Sequence, residues 1–382
     1  MNILHIASFN GNIGDIANHK GFQRNISKIF DVTSFTNLEM RNFYRSRGGR
    51  FDENFAEFAR DYDLIVFGGG AFWELKWDYS TTGNTIDITP EIINKIGKPI
   101  LFNCLGTGPK SAYTANAISS FGSWLGRVTQ MDNVFLSVRN DGSYNSINNL
   151  YNDRFRNFIM EIPDGGFYCD IPDVECAEIV KGAINIAVNL GDDLPEERFP
   201  GNNGYLSRED FLSSFSAMLN ELMYSNDKIR LIFIPHIYSD LNIISKCLAK
   251  IKDEYCRTRV TVSSCLNGEL TDGLRVFSVY KQCDLVLGMR YHANIVPIGL
   301  NTPTLMLGTL DDQICLYSNL GIENRCVPVN KPQFEIGLKE KICNYLYSDK
   351  RIENTGILAK INACNNVYMQ KIKQWYFNQN RI

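Results

Sequence analysis

Short apolar runs that stop at a glycine, asparagine or aspartate alternate with stretches of helical spacing along most of the chain, and this alternation commits it to an α/β fold built on parallel strands. In the first half the expected strands are Ile3 to Ser8, Leu64 to Phe67, Ile100 to Asn103, Val134 to Val138 and Phe158 to Ile162. A second series starts near Ala183 with Ile184 to Leu190, Ile229 to Ile234, Val260 to Ser263, Leu285 to Gly288, Thr304 to Leu307 and Val327 to Val329. Ser207 is an expected N-cap, and Phe211, Leu212, Phe215, Met218, Leu219 and Leu222 follow it at helical spacing as a core stripe. A chain of 382 residues is long for one core, so the two series predict two doubly wound domains facing a cleft, over residues 1–178 and 179–350. A polar helical tail is expected over 351–382, with Leu358, Ile361, Val367, Met369, Ile372 and Trp375 as its apolar contribution.

Open sheets of this kind bind ligands outside the carboxyl ends of their strands, so the residues at those ends are the first candidates for function. Glycine-bearing turns fall there at Asn10 to Asp15, Gly68 to Gly70, Gly106 to Pro109 and Asp164 to Gly166. Gly14, Gly69 and Gly70 would let backbone N–H groups approach a bound molecule. Asp15 would orient a ligand hydroxyl or cap the helix that begins at Ile16, and Asp164 would act as a base or accept turn N–H groups. Phe72, Trp73, Trp77 and Tyr79 follow the triple glycine, either as faces for a ring-shaped ligand or as core. In the second half the run Leu285 to Asn294 ends an apolar strand by placing Arg290 and His292 two residues apart. If the strand continues, both share a face; if a helix starts at Tyr291, they flank its positive end; either geometry suits an anion. His236, just beyond the strand Ile229 to Ile234, is a second candidate imidazole.

Composition narrows the function classes. Hydrophobic content of 44% and charged content of 21% are those of a globular protein, and a net charge of −3 without a basic run argues against a nucleic-acid partner. The amino-terminal segment lacks a basic region followed by a long apolar one, so it reads as a first strand and the chain as cytoplasmic. The 11 cysteines contain no C-x-x-C pair, and the 4 histidines are far apart in sequence, so no metal site is expected.

Taken in order, these segments resemble the polysaccharide pyruvyl transferase family. Asn12 to Asn18, which includes Gly14, Asp15 and Asn18, is similar to its N-terminal loop, and Val66 to Gly70 to its second strand and turn. Ser137 to Ser143, with Arg139 inside it, resembles a serine, arginine, acid, serine stretch, and Asp164 matches a following aspartate. Gly288 to Ala293 corresponds to the family's arginine and histidine separated by one residue, and Gly299 to Pro303 to the turn beyond. The resemblance runs over roughly residues 1 to 330.

It implies an architecture similar to the GT-B glycosyltransferases, two Rossmann-like domains with the acceptor on the N-terminal side and the donor on the C-terminal side. It also implies the transfer of the enolpyruvyl unit of phosphoenolpyruvate onto a sugar as a ketal, with phosphoenolpyruvate as a substrate and no cofactor. On that reading His292, Arg290 and Asp164 are catalytic. Arg139, Ser137, Gly14, Asp15, Asn18, Gly69, Gly70, Trp73 and His236 bind substrate, with the two arginines holding the donor's charges and His292 moving protons. The implied partners are a glycan or lipid-linked oligosaccharide of exopolysaccharide, capsule or cell-wall synthesis, and peripheral contact with membrane-bound assembly machinery at the inner face. The chain departs from the pattern at Asn189, where an arginine is expected, at Asn140, where an acid is, and at Asp311 to Gln313, where a tyrosine and a lysine are. The competing readings are a glycosyltransferase of the same architecture that uses a nucleotide sugar, and a non-catalytic glycan-binding or assembly protein.

Overall fold

The computed structural model describes residues 1–266, 268, 272–347 and 352–379. Strands β1 (Asn2–Ala7), β2 (Ser34–Glu39), β3 (Leu64–Gly70), β4 (Ile100–Leu105), β5 (Val134–Arg139) and β6 (Ile159–Ile162) form one sheet in the order β2-β1-β3-β4-β5-β6. Strands β7 (Ile184–Asn189), β8 (Ile229–Phe233), β9 (Val260–Val262), β10 (Leu285–Gly288), β11 (Thr304–Gly308) and β12 (Cys326–Pro328) form the other, in the order β12-β11-β10-β7-β8-β9. Every pairing is parallel. Strands β3 and β4 are buried at every residue, as parallel strands covered on both faces must be, which is why they read as unbroken apolar runs.

One strand escaped the sequence reading. β2 is an edge strand, Ser-Phe-Thr-Asn-Leu-Glu, in which no residue is fully buried, so selection for apolar side chains is weak and no alternation marks it. The expected core stripe, by contrast, is buried from Phe211 to Leu222, and the Ser207 hydroxyl accepts the Asp210 N–H at 3.2 Å as an N-cap.

The chain divides into two compact units. One comprises Met1–Phe9, Asn18–Tyr168 and the chain from Ala359; the other comprises Asn10–Ala17 and Cys169–Leu358. The passage after Tyr168 precedes the expected limit at 178, and the last helix (Thr355–Gln379) is, from Ala359, part of the first unit and not a separate tail. Residues 348–351 and 380–382, where that tail was expected to begin and end, lie outside the described residues. Within the first unit Tyr368, Met369 and Ile372 join Ile3, Phe22, Leu64 and Leu101 in one apolar cluster. Tyr368, not among the apolar residues expected of this helix, is buried, whereas Val367, which was among them, is 52% exposed. The Tyr368 hydroxyl donates to Asn103 Oδ1 at 2.7 Å, which lets a phenol enter the core.

In each sheet the connections reverse direction at one point, between β1 and β3 in the first and between β7 and β10 in the second. Crevices beyond the strand ends at such points are where open α/β sheets bind ligands.

Candidate active site

In the second unit Gly288, the last residue of β10, pairs with Asn189, the last of β7, so the segment after them sits at the switch point. The strand stops there and the next helix is His292–Gly299, so Arg290 lies in the turn and His292 opens the helix. The turn is held because its carbonyls are taken by side chains. Asn294 Nδ2 donates to Gly288 O at 3.1 Å and to Arg290 O at 2.8 Å, and Gln313 Nε2 donates to Met289 O at 2.6 Å. The Tyr317 hydroxyl donates to Asn294 Oδ1 at 2.8 Å and fixes the orientation of that amide. Asn189, where an arginine was expected, accepts the Arg290 N–H at 2.9 Å and donates to Ile234 O at 2.8 Å, so it positions the turn.

Arg290 is 8% exposed and rests on two carboxylates. Its Nε and Nη2 donate to the two oxygens of Asp240 at 2.8 and 2.5 Å, and Nη2 lies 3.0 Å from Asp193 Oδ1. Burial disfavours the guanidinium charge, but Asp240 and then Asp193 outweigh it and hold Arg290 above its ordinary range. Asp240 is fully buried and also accepts the N–H groups of His236 at 2.9 Å and Ile237 at 3.2 Å. Nη1 makes no hydrogen bond to any described residue.

His292 is buried to 5%. A Cβ at Gly14 would lie 2.5 Å from its Nδ1 and 2.6 Å from its own Cβ, so the absent side chain of Gly14 is what leaves room for the imidazole. The loop that carries Gly14 is fastened in the same unit, with Gly14 N donating to Asn12 Oδ1 at 3.0 Å and Ile13 N to His236 O at 3.3 Å. Asp15 is half-buried in the first turn of the helix Ile13–Ile26. His236, expected on a ligand-facing rim, is 1% exposed; its Nε2 is 2.8 Å from the Tyr280 hydroxyl and its ring meets Phe277 edge-on. Burial, then the charges of Arg290 and His292, hold it well below the usual imidazole range, so it is a neutral wall of the site.

The first unit carries the remaining candidates, and several have a different task from the one expected. Asp164 is fully buried, with Oδ2 accepting Asn18 Nδ2 at 2.9 Å and Oδ1 accepting Gly166 N at 2.8 Å, while Asn18 Oδ1 accepts Gly165 N at 3.1 Å. The pair ties a helix to a turn, the turn-acceptor alternative for Asp164. Gly69 and Gly70 have φ of +66° and +87°, and a Cβ on Gly69 would lie 2.5 Å from Asn18 Nδ2, so glycine there permits close packing. Ser137, expected to bind substrate, is fully buried and repairs the irregularity between β4 and β5. Its hydroxyl accepts Cys104 N at 3.0 Å and lies 3.1 Å from Phe102 O, where Cys104 takes φ 55° and interrupts the pairing. Trp73 is likewise core, fully buried against Phe121 and Trp124, because the chain turns inward after Gly70. Trp77 and Tyr79, 5.6 Å apart, are the aromatic faces that reach the surface, and Tyr79 is 37% exposed.

Arg139, at the end of β5, bonds through Nε to Asp141, whose other oxygen accepts Ser143 N at 3.0 Å. Asp141, beside Asn140, is thus the acid paired with Arg139. A cavity of about 540 Å³ in this unit, lined by Arg24, Lys28, Tyr168 and Asn362 among others, includes none of the expected site residues. Among the described residues no group of three His, Cys, Asp or Glu could hold a metal ion, and no helix is long and apolar enough to cross a membrane.

Sequence reading missed Asp193 and Arg198. Asp193 lies in the loop after β7 and Arg198 ends the one-turn helix Pro195–Arg198, too short for a repeat to mark a side chain as inward. Gln313, Asn294 and Asp240 were also missed as supports, although Asp240 stands four residues after His236 and so carried a signal.

A family model described as polysaccharide pyruvyl transferase matches residues 12–311. No curated protein sequence matches the chain. Among solved structures, a putative UDP-N-acetylglucosamine 2-epimerase from Listeria monocytogenes aligns with a TM-score of 0.59 at 10% identity, covering 99% of this chain and 97% of its own. The UDP-GlcNAc 2-epimerase from Neisseria meningitidis, bound to UDP-GlcNAc, aligns at 0.53 and 9% identity, covering 98% and 100%. A UDP-forming α,α-trehalose-phosphate synthase from Burkholderia xenovorans aligns at 0.51 and 10%, covering 99% of each chain. At such identities the likeness concerns the fold, two Rossmann-like domains of the GT-B type.

Proposed function

Because this chain belongs to the polysaccharide pyruvyl transferase family, we propose that it moves the enolpyruvyl unit of phosphoenolpyruvate onto a sugar of a cell-surface polysaccharide or its lipid-linked precursor, as a ketal, and releases phosphate. The observation that carries this reading is the pairing of a permanently charged guanidinium with an imidazole at the switch point of the second sheet. Phosphoenolpyruvate brings a phosphate and a carboxylate, and the outer edge of Arg290 offers a directional donor to either.

The reaction needs a proton delivered to the vinyl carbon, addition of one sugar hydroxyl at C2 with loss of its proton, departure of phosphate, and capture by a second hydroxyl with loss of another proton. His292 delivers the first proton and accepts the one released by the attacking hydroxyl; phosphate leaves with the second. His236 keeps the neighbourhood of Arg290 and His292 free of a further positive charge. A lipid-linked acceptor would bring the chain to the inner face of a membrane from the cytoplasm.

The test is incubation with phosphoenolpyruvate and a lipid-linked glycan extract, with mass spectrometry of the glycan and an assay of released phosphate. A pyruvyl addition matched by phosphate, unaffected by chelator and not suppressed by UDP-GlcNAc, is the expected result. Phosphate release without a modified glycan, or binding of UDP-GlcNAc in place of phosphoenolpyruvate, would overturn it.

A further inference from the structure

Two buried guanidiniums in the second unit converge on a single carboxylate oxygen. Arg198 Nη2 lies 2.9 Å from Asp193 Oδ1 and Arg290 Nη2 lies 3.0 Å from the same atom. The three side chains differ in exposure: Arg198 is 3% exposed and Arg290 9%, whereas Asp193 is 36% exposed. Arg198 is fixed in place by Nε donating to Asp193 O at 2.9 Å and Nη1 to Thr309 Oγ1 at 2.7 Å. Arg290 is fixed by Asp240, which is fully buried and committed to the backbone around it. Asp193 alone sits on a loop, beside Leu194, which adopts φ 51° in the left-handed region that costs a residue with a side chain.

The charges sharpen the contrast. With Asp193 in place, two arginines face two carboxylates and the site is balanced; without it, the site carries an uncompensated positive charge in a largely dry setting. Burial works against the Asp193 carboxylate, yet Arg290 and Arg198 hold its carboxyl below the ordinary range. A carboxylate shared by two guanidiniums has the arrangement that a bound phosphate or carboxylate would have.

We propose that Arg198 is a second anion-binding residue beside Arg290, and that Asp193 is an internal anion occupying the place of the donor's phosphate or carboxylate until the donor displaces it. The proposal rests on the donor reading of this site. It makes donor binding an exchange of one anion for another, so the two arginines are never left uncompensated and weak monovalent anions are excluded by competition with a tethered carboxylate.

Calorimetric titration of the full chain with inorganic phosphate and, separately, with phosphoenolpyruvate tests this. Asp193→Asn keeps the size and an oxygen acceptor while removing the charge, and is expected to tighten phosphate binding about tenfold or more, the effect of one charge-assisted contact. The double variant Asp193→Asn with Arg198→Gln restores the charge balance and is expected to return phosphate affinity to the wild-type value or below. Asp193→Ser gives an independent reading if the asparagine impairs folding. Equal or weaker phosphate binding in Asp193→Asn and Asp193→Ser overturns the proposal, as does tightening that Arg198→Gln fails to reverse. Phosphoenolpyruvate separates the two ideas. If the variants tighten phosphate but no protein prefers phosphoenolpyruvate to phosphate, the anion exchange stands and the donor reading falls. If wild type and Asp193→Asn bind phosphoenolpyruvate equally well, the donor reading stands and the exchange falls.

Discussion

Gly14 has no side chain to contribute, yet the position of His292 depends on it. A methyl group there would overlap the imidazole at 2.5 to 2.6 Å, far inside contact distance, and the ring would have to move. Gly14→Ala is therefore expected to lower turnover by about 10², the order of a lost general acid or base, while donor affinity, which the proposed mechanism assigns to Arg290, falls much less. Steady-state kinetics alongside His292→Gln checks this, and full turnover in Gly14→Ala would mean that His292 has no catalytic position to lose. At this scale the sequence was legible in where Arg290 and His292 fall, just past the end of a strand and at the start of the next helix. It was not legible where a polar residue serves the backbone: Ser137 resembles a ligand contact but mends a break in strand pairing, and Trp73 looks like a rim aromatic but is core. Asp193 and Arg198 were hidden because a loop and a single helical turn carry no periodicity from which facing can be read.

The turn from Gly288 to Tyr291 is the element on which the site is built, and it is held by amides from elsewhere in the unit. Gln313 donates to Met289 O and accepts Thr309 N at 3.2 Å and Leu310 N at 3.3 Å, so one side chain joins the helix Asp311–Leu320 to the arginine turn. Gln313→Ala is expected to cost about 1 to 3 kcal/mol of stability by leaving buried groups unsatisfied, and to weaken phosphoenolpyruvate binding as the turn loosens. Urea unfolding together with calorimetry checks both effects, and a loss of stability with unchanged donor affinity would separate this helix from the site. The departure from the family pattern at Asp311 to Gln313 therefore has a structural task here. The buried strands and the Phe211 to Leu222 helix were legible because burial on a regular element imposes a repeat. Half-exposed β2 imposed none.

Across the molecule, each unit encloses a histidine that cannot easily be charged. Burial and then Lys20 lower His5 to about 3, and burial and then the charges of Arg290 and His292 hold His236 well below its usual value. Both rings are neutral in the folded protein and would take up protons near pH 6.5 once unfolded, so unfolding is coupled to proton uptake. Stability from these two groups is complete above about pH 6.5 and declines as the pH falls below it, by about 1.4 kcal/mol per pH unit for each histidine while its folded form stays neutral. Urea midpoints between pH 7 and pH 5 measure this, and a flat profile would show that neither ring resists protonation.

The core of the first unit is not complete until the last helix supplies Tyr368, Met369 and Ile372, and the Tyr368 hydroxyl reaches the Ser137 hydroxyl at 3.0 Å in the middle of that unit's sheet. On the ribosome, therefore, the order of synthesis and the order of completion are reversed. Strands β1 to β6 emerge first and must wait, with Leu64, Leu101 and Ile162 incompletely covered, while the entire second unit is translated and can fold. A chain made without the residues from Ala359 on would hold an unfinished first unit, and the earliest-made strands would be the ones in need of a chaperone.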